Sequence, residues 1–282
     1  MRWLVTGSAG MLGTDVLDVL AQRDASVTAA TRESFEILDP AAVESAVRDH
    51  DVVVNCAAWT AVDDAESQEP AAFEVNAVAP SYLARAARRS GARIVQISTD
   101  YVFDGLATSP YAEDAAVAPR SAYGRTKSAG EWAVRAEHPE GHLVVRTAWL
   151  YGEHGSSFPS TITRLARERG AVSVVDDQHG QPTWTRDVAE IVVALVEADA
   201  AAGTYHATSS GQATWCEFAR AAVRSVGLEE SVVSPTTSAD FVRPAPRPSY
   251  SVLGHAALET VGVAPIGDWR ERWEVAAPRV LT

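Results

Sequence analysis

Tyr123 and Lys127 are the residues whose types and spacing point most directly to chemistry. They stand four residues apart in a stretch with a helical pattern, so both side chains are expected on one helix face. A phenol titrates near pH ~10, and an adjacent ammonium stabilises the phenolate and lowers its pKa toward neutrality. An ordinary exposed helical pair is the alternative. Composition favours the first interpretation, because Lys127 is the only lysine among 24 lysine and arginine residues.

A second group of polar side chains follows a strand pattern at residues 93–98. The run Gln96-Ile-Ser-Thr99 ends in hydroxyl residues, where the carboxyl edge of a doubly wound sheet binds ligands. We therefore expect Thr99 to hydrogen-bond a substrate carbonyl. A strand end capped by Ser and Thr, with no catalytic role, is the alternative.

Three glycines form a turn between the first predicted strand and the first predicted helix. Gly7, Gly10 and Gly13 are spaced so that the backbone can approach a pyrophosphate, and the N–H groups that begin the helix favour a negative charge. The spacing alone is a weak signal, since a tight turn with nothing bound has the same glycines. Its place between strand and amphipathic helix favours a dinucleotide site.

The end of the second predicted strand selects between two nicotinamide cofactors. An acidic residue there pairs with the ribose 2′-hydroxyl of NADH, whereas an arginine accepts the 2′-phosphate of NADPH. Thr31 and Arg32 stand at this point, so NADPH is favoured. NADH stays possible, because Arg32 followed by Glu33 is also typical of a solvated surface pair.

The elements that must position these residues alternate between strand and helix, which predicts a Rossmann-type doubly wound parallel sheet. A smaller mixed α/β C-terminal substrate lobe is expected to follow, with domains at residues 1–149 and 150–282 and segments near 171–205 returning to the first. A stiff loop is expected at residues 243–249, because its prolines exclude a helix or central strand. Predicted strands are 2–6, 26–30, 51–55, 93–98 and 142–147; predicted helices are 11–22, 40–49, 70–90, 121–137, 158–169, 187–198 and 215–226.

Composition and charge exclude several classes of function. The formal net charge of −13 argues against nucleic-acid binding, and no apolar tract is long enough to span a bilayer. Because Met1 leads straight into a strand pattern, we expect a cytoplasmic protein. Cys56 and Cys216 are far apart and are expected to be buried and inert. His138 and His142 are separated by helix-breaking residues, so no metal site is predicted.

Taken together, these motifs resemble the extended short-chain dehydrogenase/reductase family over nearly the whole chain. The more specific runs Ser98-Thr-Asp-Tyr-Val-Phe-Asp-Gly105, Thr60-Ala-Val-Asp63, Arg146-Thr-Ala-Trp149 and Gln181-Pro-Thr183 are similar to its dTDP-4-dehydrorhamnose reductase branch. Thr31 stands where that branch often has Asp, and Ser121 where it has Asn. These departures bear on cofactor choice and on the identity of the sugar.

That resemblance implies hydride transfer from NADPH to C4 of a dTDP-linked 4-keto-6-deoxyhexose, with Tyr123 protonating the alkoxide, Thr99 assisting and Lys127 holding the nicotinamide ribose. A monomer or homodimer is expected. The implied cofactor residues are Gly7, Gly10, Met11, Leu12, Gly13, Arg32, Glu36, Ile37, Ala57, Ala58, Trp59, Thr60, Tyr123 and Lys127. The implied substrate residues are Val62, Thr99, Asp100, Tyr101, Tyr123 and Trp149, with Arg247 assigned to the phosphates by charge and position.

Two other functions share these features. A nucleotide-sugar epimerase or dehydratase would have the same fold, glycine turn and Tyr/Lys pair. A dehydratase needs an extra acid and base, which related enzymes place as Asp and Glu after the threonine, and here Asp100 is followed by Tyr101. A non-catalytic, NADP-binding regulatory subunit is the other alternative. Such a protein has no need of Lys127, so its presence favours an enzyme.

Overall fold

The structure is a computed structural model that describes residues 1–281. Its strands are β1 (Arg2–Thr6), β2 (Ser26–Ala30), β3 (Val52–Asn55), β4 (Arg93–Thr99), β5 (His142–Thr147), β6 (Leu150–Tyr151), β7 (Val172–Val175), β8 (His179–Gly180), β9 (Thr183–Trp184), β10 (Gly203–His206), β11 (Ala213–Thr214) and β12 (Val233–Thr236). Its α-helices are α1 (Met11–Ala21), α2 (Pro40–Val47), α3 (Val62–Ala65), α4 (Glu69–Phe73), α5 (Ala79–Ser90), α6 (Ala122–Glu137), α7 (Phe158–Arg169), α8 (Thr185–Glu197), α9 (Trp215–Ser225), α10 (Ala256–Thr260) and α11 (Trp269–Val280).

A six-stranded parallel sheet in the order β10-β5-β4-β3-β1-β2 forms the centre of the molecule. Helices α1 and α8 pack together over one face, while α2, α5 and α6 lie over the other. All four residues of β3 are buried, because a strand in the middle of a parallel sheet is covered on both faces. The predicted Rossmann-type doubly wound fold is confirmed.

The five predicted strands and most predicted helices agree with the structure to within two residues. The sequence pattern does not predict β10, because Gly203-Thr-Tyr-His206 is short and has no run of apolar residues. The single helix predicted at residues 70–90 is instead α4, a π-helical turn at Glu74–Val78, and α5. That π-helical turn matters for the site, because it carries Asn76.

Much of the chain after β6 forms a smaller region beside the sheet. Two two-stranded pairs, β11 with β8 and β6 with β9, lie beside an aromatic core around Tyr151, Phe218 and Trp273, while a third pair, β12 with β7, packs against α7 and α9 in a neighbouring cluster. Segment 171–205 is divided, because β7 pairs with β12 whereas α8 and β10 lie with the large sheet. The domain boundaries stay a prediction, and Thr282 lies outside the described residues. Within residues 1–281, no helix combines the length and apolar character needed to cross a membrane.

Candidate active site

Helix α6 carries the predicted proton-handling pair. Its first turn is capped by the Ser121 hydroxyl, which accepts the Gly124 N–H at 3.0 Å. The helix starts close to the turn after β4, since a Cβ on Gly124 would stand 2.2 Å from the Tyr101 carbonyl oxygen. Lys127 is only 4% exposed, and its Nζ donates to the Ile97 carbonyl oxygen at 2.6 Å. The lysine is thereby fixed against β4, two residues before Thr99.

The two groups of this pair titrate under different influences. Burial raises the pKa of Tyr123, and a hydrogen bond between its hydroxyl and that of Thr99 opposes the rise. Burial lowers the pKa of Lys127 to about 8, while the charge of Glu131 opposes that fall. The expected lowering of the Tyr123 pKa by Lys127 stays a prediction, because in the structure the ammonium is engaged by the Ile97 carbonyl.

Glu131 lies one further turn along α6 and is fully buried. Its carboxylate accepts Nε and Nη2 of Arg146, both at 2.8 Å, and the Ser98 hydroxyl at 2.6 Å. Burial works against its ionisation, but the hydrogen bonds and the charge of Arg146 hold the pKa of Glu131 below its ordinary value. The carboxylate therefore places a fixed negative charge beside Lys127.

Asn76 connects the loop after β3 to α6, a role that sequence reasoning missed. Its side chain accepts the Trp59 N–H at 2.8 Å, and its amide nitrogen donates to the Trp59 carbonyl at 3.1 Å and to the Thr126 hydroxyl at 3.0 Å. A Cβ on Gly130 would lie 2.0 Å from the Asn76 carbonyl oxygen, so the backbones touch here. An Asn in a stretch with a helical pattern was the available signal.

Buried polar side chains also join the carboxyl ends of three strands. The Thr6 hydroxyl donates to Oδ1 of Asn55 at 2.6 Å, and Nδ2 of Asn55 donates to Oε1 of Gln96 at 2.7 Å. Oδ1 of Asn55 also accepts the Ala57 N–H at 3.2 Å. This chain of hydrogen bonds anchors the start of the loop after β3, at Ala57.

The glycine turn is built for close backbone approach. Gly7 has φ +64°, and a Cβ there would lie 2.6 Å from the Ala57 nitrogen. A Cβ on Gly13 would lie 2.3 Å from the Gly7 carbonyl oxygen. Gly10 provides no side chain to cap α1, so no cap competes with a ligand for the N–H groups of Met11 and Leu12. The glycine turn and the start of α1 therefore fit a dinucleotide pyrophosphate.

The residues predicted at the far end of the cofactor lie in the turn after β2. Arg32 is exposed and makes no ion pair within residues 1–281, so its guanidinium is accessible to a phosphate. The Thr31 hydroxyl donates to Oε2 of Glu33 at 2.8 Å, so Glu33 is held by Thr31 rather than by Arg32. Ile37 packs against the core under β1, while Glu36 is exposed and accepts the Leu38 N–H.

Thr99, Asp100 and Tyr101 lie together in the tight turn that ends β4. The Thr99 hydroxyl donates to Oδ1 of Asp100 at 2.9 Å and accepts the Tyr101 N–H at 3.2 Å. Burial raises the pKa of Asp100 to about 6, against hydrogen bonds from Ser251 and Thr99. The Tyr101 and Tyr123 rings meet edge to face, with centroids 5.6 Å apart. The structure thus brings Thr99 and Tyr101 to the Tyr123 side chain.

Trp149 borders this region in an unusual backbone conformation. Its φ of +47° lies in the left-handed region, which L residues adopt at a cost of about 1–3 kcal/mol. Its ring stacks on Trp215 with centroids 3.6 Å apart, and a Cβ on Gly180 would lie 2.3 Å from the Trp149 Cε2. Trp149 is therefore held between Trp215 and the Gly180 backbone.

Arg247, predicted for phosphate binding, is ion-paired within the protein. Its Nη2 lies 3.0 Å from Oδ1 of Asp63, which stands on α3 one residue after Val62. As the prolines predict, residues 243–249 contain neither helix nor strand. Arg247, Tyr101 and Arg120 line a common cavity, so the structure places Arg247 beside residues predicted to face the sugar.

The histidines singled out in the sequence have structural partners. Nε2 of His138 bonds the Ala92 carbonyl, and Nδ1 of His142 bonds the His138 carbonyl. Asp15, Asp18 and His154 approach one another elsewhere, with potential ligand atoms within 4.8 Å. That group joins α1 to the loop after β6, so sequence spacing gives no sign of it. Cys216 is buried as expected, whereas Cys56 is only partly buried, and both are free thiols.

The chain is similar in sequence and structure to known nucleotide-sugar reductases. Residues 1–280 match the family described as the RmlD substrate-binding domain. A dTDP-4-dehydrorhamnose reductase of Streptomyces griseus is 50% identical, covering 95% of this chain and 90% of the relative. A dTDP-4-keto-6-deoxy-D-glucose reductase of Streptomyces niveus is 46% identical, covering 98% and 96%. The crystal structure of the Bacillus anthracis dTDP-4-dehydrorhamnose reductase in complex with NADP has a TM-score of 0.94 at 34% identity, covering 98% of each chain.

Proposed function

The chain belongs to the RmlD substrate-binding domain family, and we propose that it reduces the C4 ketone of a dTDP-linked 4-keto-6-deoxyhexose with NADPH, in dTDP-L-rhamnose or related deoxysugar biosynthesis. The observation that carries the proposal is the meeting of Tyr123, Lys127 and Thr99 at the carboxyl end of β4, facing the same sheet edge as the glycine turn. In doubly wound folds that edge binds both nucleotide and substrate.

Bound NADPH supplies the hydride, and the chain supplies binding and orientation. The N–H groups that begin α1, with Gly7, Gly10 and Gly13, would hold the pyrophosphate. Arg32 would pair with the 2′-phosphate, which favours NADPH over NADH. The remaining residues proposed to hold the cofactor are Met11, Leu12, Glu36, Ile37, Ala57, Ala58, Trp59, Thr60, Tyr123 and Lys127.

Proton transfer belongs to Tyr123. As the ketone gains a hydride, its oxygen becomes an alkoxide, and the Tyr123 hydroxyl donates the proton that neutralises it. The Thr99 hydroxyl donates a hydrogen bond to the same oxygen. Lys127 binds the nicotinamide ribose hydroxyls and stabilises the phenolate that remains on Tyr123. Glu131 keeps a negative charge close to Lys127, which favours the ammonium over the neutral amine.

The sugar is proposed to lie between the turn after β4 and Trp149. Tyr101 and Trp149 are proposed to contact the sugar with their rings, and Asp100 and Val62 are proposed to border the same space. Arg247 provides the cationic group for the diphosphate. A cytoplasmic location, and action as a monomer or a homodimer, belong to the same proposal.

A reductase explains this site better than a dehydratase does. Elimination of water across C5 and C6 needs an additional acid and base beside the Tyr/Lys pair. Asp100 is followed by Tyr101, whose ring packs on Tyr123, so the position after Asp100 offers no carboxylate. The non-catalytic alternative predicts no turnover and is separated by the assay below.

The test is NADPH consumption by the purified full-length chain. With dTDP-4-keto-6-deoxyglucose and its 4-keto-rhamnose epimer as substrates, we expect stoichiometric oxidation of NADPH, slower oxidation of NADH, and a C4 alcohol identified by NMR. Tyr123→Phe is the matched control, because it removes one hydroxyl and leaves the ring. If neither nucleotide sugar supports NADPH oxidation, the proposed function is wrong.

A further inference from the structure

The proline-rich loop, defined as residues 243–248, is tied to α3 through a single carboxylate. Oδ2 of Asp63 accepts Nε of Arg243 at 2.9 Å and also bonds its Nη2. Oδ1 of Asp63 accepts the Ala245 N–H at 3.2 Å and lies 3.0 Å from Nη2 of Arg247. Both oxygens of one side chain are thus saturated by donors from this loop.

Those donors suit a phosphate as well as they suit a carboxylate. A guanidinium presents a planar fork of N–H groups that matches either anion, and a backbone N–H adds direction. The side chains of Asp63, Arg247 and Arg243 are 17%, 20% and 47% exposed, so the cluster borders solvent and an anion can reach it. Arg247 also lines a cavity together with Arg120 and Tyr101.

The charges make the carboxylate and an incoming diphosphate mutually exclusive. Burial acts to raise the pKa of Asp63, but the Ala245 N–H and the two arginines outweigh it and hold the pKa below its ordinary value. Asp63 is therefore ionised at neutral pH. A diphosphate that approached the intact cluster would face this negative charge and would find Nε and Nη2 of Arg243 and Nη2 of Arg247 already paired with Asp63.

We propose that Asp63 is an internal competitor for the substrate's diphosphate. Its carboxylate occupies Arg243, Ala245 and Arg247 of the proline-rich loop until a nucleoside diphosphate ester displaces it, and the loop then releases α3 to close on the ligand. The inference rests on the proposed function, because it takes the substrate to be a nucleotide-linked sugar. It gives Asp63 a role other than contacting the substrate, because its carboxylate lowers the affinity of the site for anionic ligands.

The test is a calorimetric titration of the full-length protein with dTDP. Asp63→Asn removes the competing charge, and we expect dTDP to bind about fivefold more tightly, the scale of one partly exposed ion pair. Asp64→Asn is the matched control, since it removes an equal charge one residue away on the same helix from an exposed side chain. If Asp63→Asn binds dTDP no more tightly than Asp64→Asn, the inference is wrong.

A second measurement follows the loop itself. Phe241 is 53% exposed just before the proline-rich loop and offers chymotrypsin a cleavage point. With no nucleotide present, we expect cleavage after Phe241 to be several-fold faster in Asp63→Asn than in Asp64→Asn, followed by mass spectrometry. Equal rates would show that Asp63 does not restrain the loop.

The two proposals fail in different ways. Wild-type protein that oxidises NADPH with a keto-sugar, in which Asp63→Asn behaves as Asp64→Asn does, keeps the proposed function and overturns the role of Asp63. Wild-type protein that neither binds dTDP nor consumes NADPH overturns both.

Discussion

Helix α6 and the proline-rich loop place functional groups by opposite means. On α6, Tyr123, Lys127 and Glu131 follow one another at intervals of four residues, and helix geometry alone puts them on one face. In the loop, Arg243 and Arg247 meet Asp63 across a separation of 180 or more residues, and only tertiary structure brings them together. The first arrangement is local in sequence, and the second depends on the whole fold.

The ion pairs of the two regions also differ in their contribution to stability. Glu131 and Arg146 are almost entirely buried, and removing one partner of such a pair costs about 3–5 kcal/mol. Arg243 and Asp63 are partly exposed, where an ion pair contributes about 0–1 kcal/mol. We therefore expect the proposed proton-handling group on α6 to be rigid, and the proline-rich loop to exchange the Asp63 carboxylate for a ligand. This difference supplies the tests below.

The largest effect is expected from Lys127→Arg. A guanidinium keeps the charge, but its planar shape and longer reach do not fit the space at the Ile97 carbonyl, so we expect turnover to fall about 10²–10³-fold, the scale of general acid–base catalysis. The measurement is the steady-state rate of NADPH oxidation. Arg125→Lys, an opposite exchange on the exposed side of α6, is the control and should keep its rate. Near-wild-type turnover in Lys127→Arg would contradict the role of the ammonium.

Gly13→Ala should act on the cofactor alone. Its Cβ would lie 2.3 Å from the Gly7 carbonyl oxygen, so the glycine turn must shift, at about 1–3 kcal/mol for overpacking. We expect NADPH to bind on the order of tenfold or more weakly, measured by its fluorescence. The dTDP affinity measured in parallel should stay unchanged and shows that the protein is folded. Equal losses of both affinities would indicate general unfolding instead.

The same contrast explains what the sequence could predict. The glycine turn and the Tyr/Lys pair are local patterns with a physical reason for each spacing, and the sheet that positions them follows from alternating apolar runs. Asp63, by contrast, belonged to a run that resembles the family, and nothing near it in sequence indicated its contact with Arg243. Long-range polar contacts leave no periodic signal.

Two further residues show the limit in more detail. Asn76 lies in a segment predicted as continuous helix, and its clamp on Trp59 depends on a π-helical turn that no pattern marks. Trp149 was expected to face the sugar, but neither its positive φ nor its stacking on Trp215 follows from local sequence. These contacts depend on packing between elements far apart in the chain.

Gly180→Ala should disturb the substrate side in the way that Gly13→Ala disturbs the cofactor side. The new Cβ would lie 2.3 Å from the Trp149 ring and would push it from its stack on Trp215. We expect the KM for the keto-sugar to rise about tenfold, within the ~1–3 kcal/mol scale of pocket misfit, with NADPH affinity unchanged. Gly203→Ala is the control, because the atom nearest to its added Cβ would be 3.8 Å away. An unchanged KM in Gly180→Ala would remove Trp149 from the sugar site.

The last test is a pH dependence that separates chemistry from stability. The pKa of Lys127 is lowered from 10.5 to about 8, so the ammonium needed for turnover is lost as pH rises through about 8. Between about 8 and 10.5 the unfolded chain holds more protons than the folded one, so this group makes stability rise with pH, by up to about 3 kcal/mol. We therefore expect the rate of NADPH oxidation to fall between about pH 8 and 10.5. Over the same range the urea midpoint of the wild-type protein should rise relative to that of Lys127→Met, because the difference between the two measures the contribution of the lysine to stability.

Glu131→Gln removes the charge that supports the ammonium and should move the loss of activity to lower pH. A rate that falls only where the protein unfolds would show that Lys127 does not control the alkaline limb.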